Sequence, residues 1–218
     1  RGLQAKSTKK GDKHYRAAQA KFVLWLEDLK DYRVLDPACG SGNFLFLGLK
    51  ALKDIEHMSH IQAAAMGLDR QADLVTGPHN VLGIELNEYA AELARLTVWI
   101  GELQWRIEHG YEFKTNPVLE PLDHIECRDA LLCFSDSGAR AGQMPGAHAS
   151  KGAAKSPPTS APPTPRSDLA VEADWPKASV VIGNPPFLGD KKMRAELGDG
   201  YTTTLRKVYE GRVPGGAD

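Results

Sequence analysis

The chain has 218 residues, of which 42% are hydrophobic, and its formal net charge at neutral pH is −1. This apolar content is enough to bury a core, so one folded domain is the simplest expectation. The three cysteines form no Cys-x-x-Cys pair, and no apolar run is long enough to span a bilayer. Composition therefore argues against a disulfide framework, a zinc site and a membrane span, and predicts a protein of a reducing cytoplasm.

Basic residues concentrate at the N-terminal end of the chain. Residues 1–35 carry nine Lys or Arg against four Asp or Glu, although the whole chain lacks the basic excess of a self-sufficient DNA binder. The pattern favours a solvated basic arm, and an arm that contacts phosphates is the alternative.

The hydrophobic pattern predicts helices that alternate with strands. Helical periodicity predicts helices over residues 15–31 and 43–61, and a third helix with a buried face. That face is formed by Tyr89, Leu93, Leu96, Thr97, Ile100 and Leu103. Short apolar runs predict four strands: one ending at Asp36, then 81–85, 124–127 and 180–183. The order is typical of an α/β protein, with an N-terminal helix before a partial sheet of four strands.

A segment of biased composition interrupts this pattern. Residues 135–168 contain no Val, Ile, Leu, Phe, Tyr or Trp, so they cannot bury enough apolar surface to offset the entropy of ordering. We expect a disordered insertion over residues 135–174. It separates residues 1–134, which hold the N-terminal helix and the first three predicted strands, from residues 175–218, which hold the last predicted strand.

A glycine-rich loop follows the first strand. Residues 36–42 read Asp-Pro-Ala-Cys-Gly-Ser-Gly, and Gly40 and Gly42 allow a sharp turn and a close approach to a ligand. Leu45 stands where a dinucleotide-binding loop has its third glycine, and the loop carries no Lys or Arg. These features favour a cationic ligand without phosphate, and S-adenosylmethionine fits that description.

The tetrapeptide Asn184-Pro185-Pro186-Phe187 follows the last predicted strand. An amide, two rigid prolines and an aromatic ring at the end of a strand can hold a flat ring that bears an amine. In isolation the same residues are also a good turn. The tetrapeptide therefore indicates chemistry on a nucleobase only in combination with the glycine-rich loop.

Together these residues carry a family resemblance. The run from Leu35 to Leu45, paired with residues 184–187, resembles the S-adenosylmethionine-dependent DNA amino-methyltransferases of the gamma arrangement. Residues 85–101 and 184–197 resemble the methyltransferase region of bacterial bifunctional type II restriction-modification enzymes. The resemblance covers roughly residues 22–134 and then 175 to the end. It implies a Rossmann-like class I methyltransferase sheet.

Roles in cofactor binding follow from strand position and from this resemblance. Asp36 is expected to hold the methionine end of the cofactor, together with Pro37, Ala38, Gly40 and Gly42 of the loop. Glu85 ends the second strand, where a carboxylate can accept both ribose hydroxyls, and a plain surface glutamate is the alternative. The resemblance assigns Asp129 to the adenine amino group. The walls for the adenine ring are Leu86 and either Ala130 or Leu131.

The resemblance also assigns the target site. The Asn184 side chain and the Pro185 carbonyl would accept hydrogen bonds from the exocyclic amine of adenine, with Pro186 stiffening the turn. Phe187 would stack on a base flipped out of double-stranded DNA. Cys39 lies in the cofactor loop and is not expected to be a nucleophile. No metal is expected, and His57 and His60 are interpreted as a solvated helix end.

The expected function is methylation of adenine in DNA within a restriction-modification system. Methylation of an RNA base or a protein glutamine and an inactive cofactor-binding remnant are the alternatives. Since a complete sheet of this type has seven strands, we expect the later strands and target recognition beyond residue 218 or on a partner chain.

Overall fold

A computed structural model describes residues 12–69, 73–111, 121–134, 170–185, 187 and 189–214, without the side chains of residues 190 and 191. The chain divides into two compact units. The first comprises residues 1–130 and 175–185, and the second comprises 131–174 and 186–218. The two units are described separately below.

A parallel sheet flanked by helices forms the first unit. Its helices are α1 (Lys13–Asp31), α2 (Asn43–Ala65) and α3 (Glu88–Glu108). Its strands are β1 (Val34–Asp36), β2 (Val81–Glu85), β3 (Ile125–Cys127) and, after the second unit's two strands, β6 (Val180–Val181). The strand order is β3-β2-β1-β6, and every neighbouring pair is parallel. The predicted α/β class is therefore confirmed, and the sheet is compatible with a methyltransferase fold.

The core of the first unit lies between the sheet and its helices. Phe22 and Leu26 of α1 and Leu45 and Leu49 of α2 are buried against Val81. Gly42 at the start of α2 has φ of 85°, and a Cβ placed there would lie 2.8 Å from the Cα of Ala94. Only glycine therefore lets α2 begin so close to α3. A smaller cluster of Leu35, Leu82 and Ile84 is packed with Ala130.

The inner face of α3 differs from the prediction. The buried residues of this helix are Ala91, Ala94, Val98, Gly101, Glu102 and Trp105. Tyr89, Leu96 and Ile100, which were expected inside, are 74%, 54% and 51% exposed. Small residues pack inward because α2 lies close, as shown by the 2.2 Å that would separate a Cβ at Gly101 from Phe46. The predicted buried face of α3 is therefore wrong.

Buried charges join α2 to α3. Lys53 is fully buried and donates to Glu102 Oε1 at 2.9 Å, and Arg106 donates to the same oxygen at 2.6 Å. Burial lowers the pKa of Lys53, and the neighbouring Glu102 carboxylate opposes that shift. Because two cations satisfy Glu102, the network adds a specific polar contact between the two helices.

The second unit contains an antiparallel strand pair and two helices. β4 (Leu132–Phe134) pairs with β5 (Ala170–Glu172), and α4 (Gly189–Leu197) precedes α5 (Asp199–Val208). The sequence patterns predicted none of these elements. Residues 170–172 were assigned to the disordered insertion, and that end of the assignment is wrong. Residues 173 and 174 are also described, and residues 135–169 of the predicted insertion lie outside the described residues.

Among the described helices, none combines the length and the apolar character needed to cross a membrane.

Candidate functional site

The carboxyl ends of four parallel strands define one edge of the first unit's sheet. Asp36 ends β1, Glu85 ends β2, Arg128 follows β3, and Asn184 lies three residues after the end of β6. Parallel strands place their carboxyl ends at the same edge, which is where α/β proteins bind ligands. One edge of the sheet thus brings together the glycine-rich loop, the glutamate at the end of β2 and the asparagine after β6.

Asp36 is buried at the start of the loop between β1 and α2. Its Oδ1 accepts the N–H of Ala38 at 3.0 Å, whereas Oδ2 has no hydrogen-bond partner among the described residues. Burial raises the pKa of Asp36, the hydrogen bond from Ala38 lowers it, and the Glu85 carboxylate raises it further. A buried carboxylate with an unused oxygen is costly, and a cationic or hydrogen-bond-donating ligand would relieve that cost.

Gly183 brings β6 against this carboxylate. A Cβ on Gly183 would lie 2.8 Å from Asp36 Oδ1 and 3.4 Å from its Cγ. The strand is held in place by the N–H of Ile182, which donates to the carbonyl of Leu35 at 2.8 Å. Any larger residue at 183 would displace either Asp36 or the backbone that leads into Asn184. Sequence reasoning missed Gly183, although a glycine directly before the tetrapeptide was visible.

Glu85 links the glycine-rich loop to the turn after β2. Its Oε2 accepts the N–H of Gly40 at 2.8 Å, and its Oε1 accepts the N–H of Asn87 at 2.8 Å. Gly40 has φ of 52°, in the left-handed region that favours glycine, so the loop turns sharply at the residue whose N–H Glu85 binds. Each carboxylate oxygen keeps a second lone pair. Glu85 can therefore organise both turns and still accept hydrogen bonds from a ligand.

Cys39 lies in the same loop and is buried. Burial raises the pKa of its thiol to about 12, with further contributions from the negative charges of Asp36 and Glu85. A thiol with such a pKa is protonated at neutral pH and is a poor nucleophile. The electrostatics of the loop thus disfavour added negative charge, in keeping with a cationic ligand.

The predicted adenine-binding residues follow β2 and β3. Leu86 is 69% exposed, Asp129 is half-buried, and Ala130 packs on the Leu35 cluster. The N–H of Arg128 donates to the carbonyl of Glu85 at 2.9 Å, which keeps the two strand ends together. Leu131 belongs to the second unit, where its carbonyl accepts from the N–H of Ala173 and from Tyr209 Oη.

The predicted target-binding residues are divided between the two units. Asn184 and Pro185 are exposed in the first unit, and the Asn184 side chain makes no hydrogen bond within the described part of the chain. Phe187 belongs to the second unit and is 78% exposed. Pro186 lies outside the described residues. An amide without a partner and an exposed aromatic ring are both available to a ligand.

The two histidines of α2 are not solvated as expected. His60 is buried, with Nε2 3.4 Å from Glu56 Oε1, and His57 Nδ1 lies 3.0 Å from Tyr111 Oη. That interpretation was wrong because α1 and the residues after α3 cover this part of α2. In the described part of the chain, His, Cys, Asp and Glu form no group of three or more suited to a metal ion.

Comparison with known proteins identifies the family. A family model described as "MmeI, DNA-methyltransferase domain" matches residues 12–211, which is most of the chain. The chain belongs to the MmeI DNA-methyltransferase domain family. It is a methyltransferase region of the restriction-modification type, as the resemblance implied.

Relatives of this MmeI-family domain are much longer than the chain. DNA methyltransferase A of Bacillus subtilis (strain 168) is 27% identical over 191 residues, which are 83% of this chain and 17% of that protein. A putative type II restriction enzyme and methyltransferase of Methanocaldococcus jannaschii is 31% identical over 90 residues, 40% of this chain and 8% of that protein. The chain thus spans less than a fifth of the length of either relative.

One solved structure is also similar. It is that of the type IIL restriction-modification enzyme MmeI in complex with DNA, with a TM-score of 0.38 and 24% sequence identity. The similarity covers 46% of this chain and 14% of that one.

Proposed function

We propose that this domain transfers the methyl group of S-adenosylmethionine to the exocyclic amine of adenine in DNA, as part of a restriction-modification enzyme. The observation that carries the proposal is the meeting of Asp36, Glu85 and Asn184 at the carboxyl edge of one parallel sheet. The first two suit a cationic nucleoside, and the third suits a planar amine. Membership of the MmeI family supports DNA as the substrate.

The residues present fit S-adenosylmethionine. The buried Oδ2 of Asp36 is an acceptor without a partner among the described residues, and Glu85 retains free lone pairs after accepting from two backbone amides. The loop of residues 36–42 has no cationic side chain. It contains the carboxyl group of Asp36 and is hydrogen-bonded to that of Glu85. Asp36 with Pro37, Ala38, Gly40 and Gly42 would hold the methionine part, Glu85 the ribose, and Leu86, Asp129 and Ala130 the adenine.

Asn184 orients the substrate amine. Its side-chain oxygen and the Pro185 carbonyl each accept a hydrogen bond from one N–H of the amine, so the nitrogen lone pair is directed toward the cofactor. Phe187 stacks on the ring of the extruded base. When bound, the cofactor would supply an electrophilic methyl group on its sulfonium sulfur to the amine nitrogen, which would release one proton to solvent. Orientation and electrostatics account for the catalysis, without a covalent enzyme intermediate.

Methyl transfer from tritiated cofactor to plasmid DNA, RNA and protein tests the proposal. We expect label in DNA, recovered as N6-methyldeoxyadenosine after digestion to nucleosides, and loss of at least about 100-fold in rate for Asn184→Ala. The Gln62→Ala variant is a matched control, because Gln62 is an exposed amide of α2 at the opposite end of that helix from the glycine-rich loop. Label in RNA or protein alone, or an unchanged rate for Asn184→Ala, would contradict the proposal.

Cofactor binding is measured separately, because target recognition can require regions outside this chain. Calorimetric titration with S-adenosylhomocysteine should show binding that Asp36→Ala and Glu85→Ala weaken. If the wild-type chain bound no S-adenosylhomocysteine, the result would favour the alternative that this chain is an inactive remnant.

A further inference from the structure

Trp175 is the residue at which the chain returns to the first unit, which it leaves after Ala130. The residue before a proline is restricted to extended backbone conformations, and Pro176 therefore limits the directions in which the Trp175 side chain can leave the chain. The indole is 44% exposed. Since nearly half of this large ring stays in water, burial alone does not explain its position.

The indole of Trp175 is bonded to the point where the chain leaves the first unit. Its Nε1 donates to the carbonyl oxygen of Ala130 at 2.6 Å, across 45 positions of sequence. The N–H is the one polar group of the indole ring, and it can only donate. Ala130 is also packed through its side chain on the cluster of Leu35, Leu82 and Ile84. The indole therefore holds a backbone that already lies against the sheet.

Asp129 lies between two residues whose backbones are held by hydrogen bonds. On its N-terminal side, the N–H of Arg128 donates to the carbonyl of Glu85 at 2.9 Å. On its C-terminal side, the carbonyl of Ala130 accepts from Trp175. Because peptide planes are rigid and each residue has only two soft backbone dihedrals, holding both neighbours limits where the Asp129 carboxyl group can lie. The second of these bonds comes from a side chain, so a substitution can remove it.

The placement of Asp129 matters for the adenine of the cofactor. Under the proposed function its carboxyl group accepts a hydrogen bond from the adenine amino group, and such a bond weakens steeply when it is misaligned. We propose that Trp175 is a positioning residue for adenine, whose indole N–H holds Ala130 and thereby aims Asp129 at the amino group. This inference rests on the proposed function, and it adds to the site a residue that makes the cofactor pocket selective for adenine.

Calorimetric titration with two ligands tests this selectivity. One ligand is S-adenosylhomocysteine, and the other is its analogue in which hydrogen replaces the adenine amino group. Trp175→Phe keeps an aromatic ring and removes the N–H donor. It should weaken binding of S-adenosylhomocysteine about 3-fold to 10-fold, as expected for one hydrogen bond, and leave binding of the analogue unchanged. A merely structural role of Trp175 would weaken both ligands equally.

A double-mutant cycle tests whether Trp175 acts through Asp129. Asp129→Ala should abolish the preference for S-adenosylhomocysteine over the analogue. In that background Trp175→Phe should cause no further loss, because both substitutions remove the same interaction with the amino group. Additive losses would overturn the positioning role.

Trp25→Phe is the matched control. Trp25 is 43% exposed, and its Nε1 also donates to another element, at 3.0 Å to Ser59 Oγ of α2. Ser59 lies toward the end of α2 that is remote from the glycine-rich loop. The control therefore removes the same kind of N–H from a ring of equal exposure, and both ligands should bind as they do to the wild-type chain.

Hydrogen exchange followed by NMR tests the bond to Ala130 without any ligand. The indole N–H of Trp175, identified by its loss in Trp175→Phe, should exchange more slowly in the native chain than in the denatured chain. Equal exchange in the two states would overturn the inference. A wild-type chain that binds neither ligand would instead contradict the proposed function and, with it, the role of Trp175. If the wild-type chain prefers S-adenosylhomocysteine and Trp175→Phe keeps that preference, only the role of Trp175 is overturned.

Discussion

Glu85 accepts a hydrogen bond of 2.8 Å from the backbone N–H of Gly40. Glu85 ends β2 and Gly40 lies in the loop after β1, so the bond joins two adjacent strand ends. The other carboxylate oxygen accepts from the N–H of Asn87 in the turn before α3. One side chain therefore fixes the shape of two turns at the proposed cofactor site, besides offering lone pairs to a ribose.

Glu85→Gln should weaken cofactor binding. The amide has one oxygen in place of two, so one of the two backbone N–H groups would face an NH₂ group. Because a hydrogen bond to a charged group contributes about 1.5 to 3 kcal/mol, affinity should fall about 10-fold to 100-fold. Calorimetric titration with S-adenosylhomocysteine measures the change.

The control for Glu85 is Glu88→Gln. Glu88 is an exposed acid in the first turn of α3, three residues after Glu85. Its replacement by Gln removes the same charge without changing a contact to the loop. Its affinity should match that of the wild-type chain. Equal losses in both variants would show a general charge effect and would contradict the specific role of Glu85.

Thiol reactivity should separate Cys39 from the other cysteines. Cys127 and Cys133 are exposed, whereas Cys39 is buried and its pKa is raised to about 12. A disulfide reagent at pH 8 should titrate two thiols rapidly in the native chain and three in denaturant. Peptide mapping should find Cys39 unmodified in the native sample. Rapid modification of Cys39 would contradict its burial within the glycine-rich loop.

The sequence predicted the first unit well because its strands are short apolar runs. β2 was predicted at its observed bounds, and α1 and α2 were predicted within a few residues. Asp36 and Glu85 were expected at strand ends and lie there, whereas β6 ends at Val181, two residues earlier than predicted, so Asn184 lies three residues beyond the strand. Position at a strand end follows from local pattern, and parallel pairing then brings the ends together.

Local pattern could not determine which apolar face of α3 points inward. The buried face and the exposed face of Tyr89, Leu96 and Ile100 both follow helical spacing. Because the exposed face has the larger apolar side chains, it was predicted to point inward. The structure buries Ala91, Ala94 and Gly101 where α2 approaches α3 most closely, and the larger Val98, Glu102 and Trp105 lie on the same buried face. Similarly, β5 is three residues long and pairs with a strand distant in sequence, so no local signal marks it. Tertiary contacts decide both cases.

Asp36 should give stability an identifiable pH dependence. Burial raises its pKa above the ordinary aspartate value of 3.8, so the folded chain binds a proton at Asp36 more readily than the unfolded chain does. This contribution to the free energy of unfolding is complete below pH 3.8 and is lost as pH rises through the folded pKa. Asn cannot ionise, so Asp36→Asn should lack it.

Thermal unfolding from pH 4 to pH 8 measures the Asp36 effect. The melting temperature of the wild-type chain minus that of Asp36→Asn should decrease as pH rises. The same difference for Leu24→Ala, which removes no titratable group at an exposed residue of α1, should stay nearly constant. A difference that increases with pH for Asp36 would mean that its carboxylate is stabilised in the folded chain, contrary to its burial.

Gly183→Ala should impair methyl transfer through two contacts at once. The new Cβ would lie 2.8 Å from Asp36 Oδ1, closer than real Cβ contacts, so either the carboxylate or the backbone before Asn184 must move. Since misplacement of reacting groups by a fraction of an ångström reduces rate strongly, kcat should fall by about tenfold or more. Gly183→Val should be worse, because its branches leave less room for adjustment.

Gly200→Ala is the matched control: no atom lies within 4 Å of its Cβ, and within α5 alanine should stabilise the helix slightly and leave kcat unchanged. Equal rates for Gly183→Ala and the wild-type chain would show that the junction of β6 and Asp36 tolerates a methyl group, and that Asn184 is positioned by other contacts.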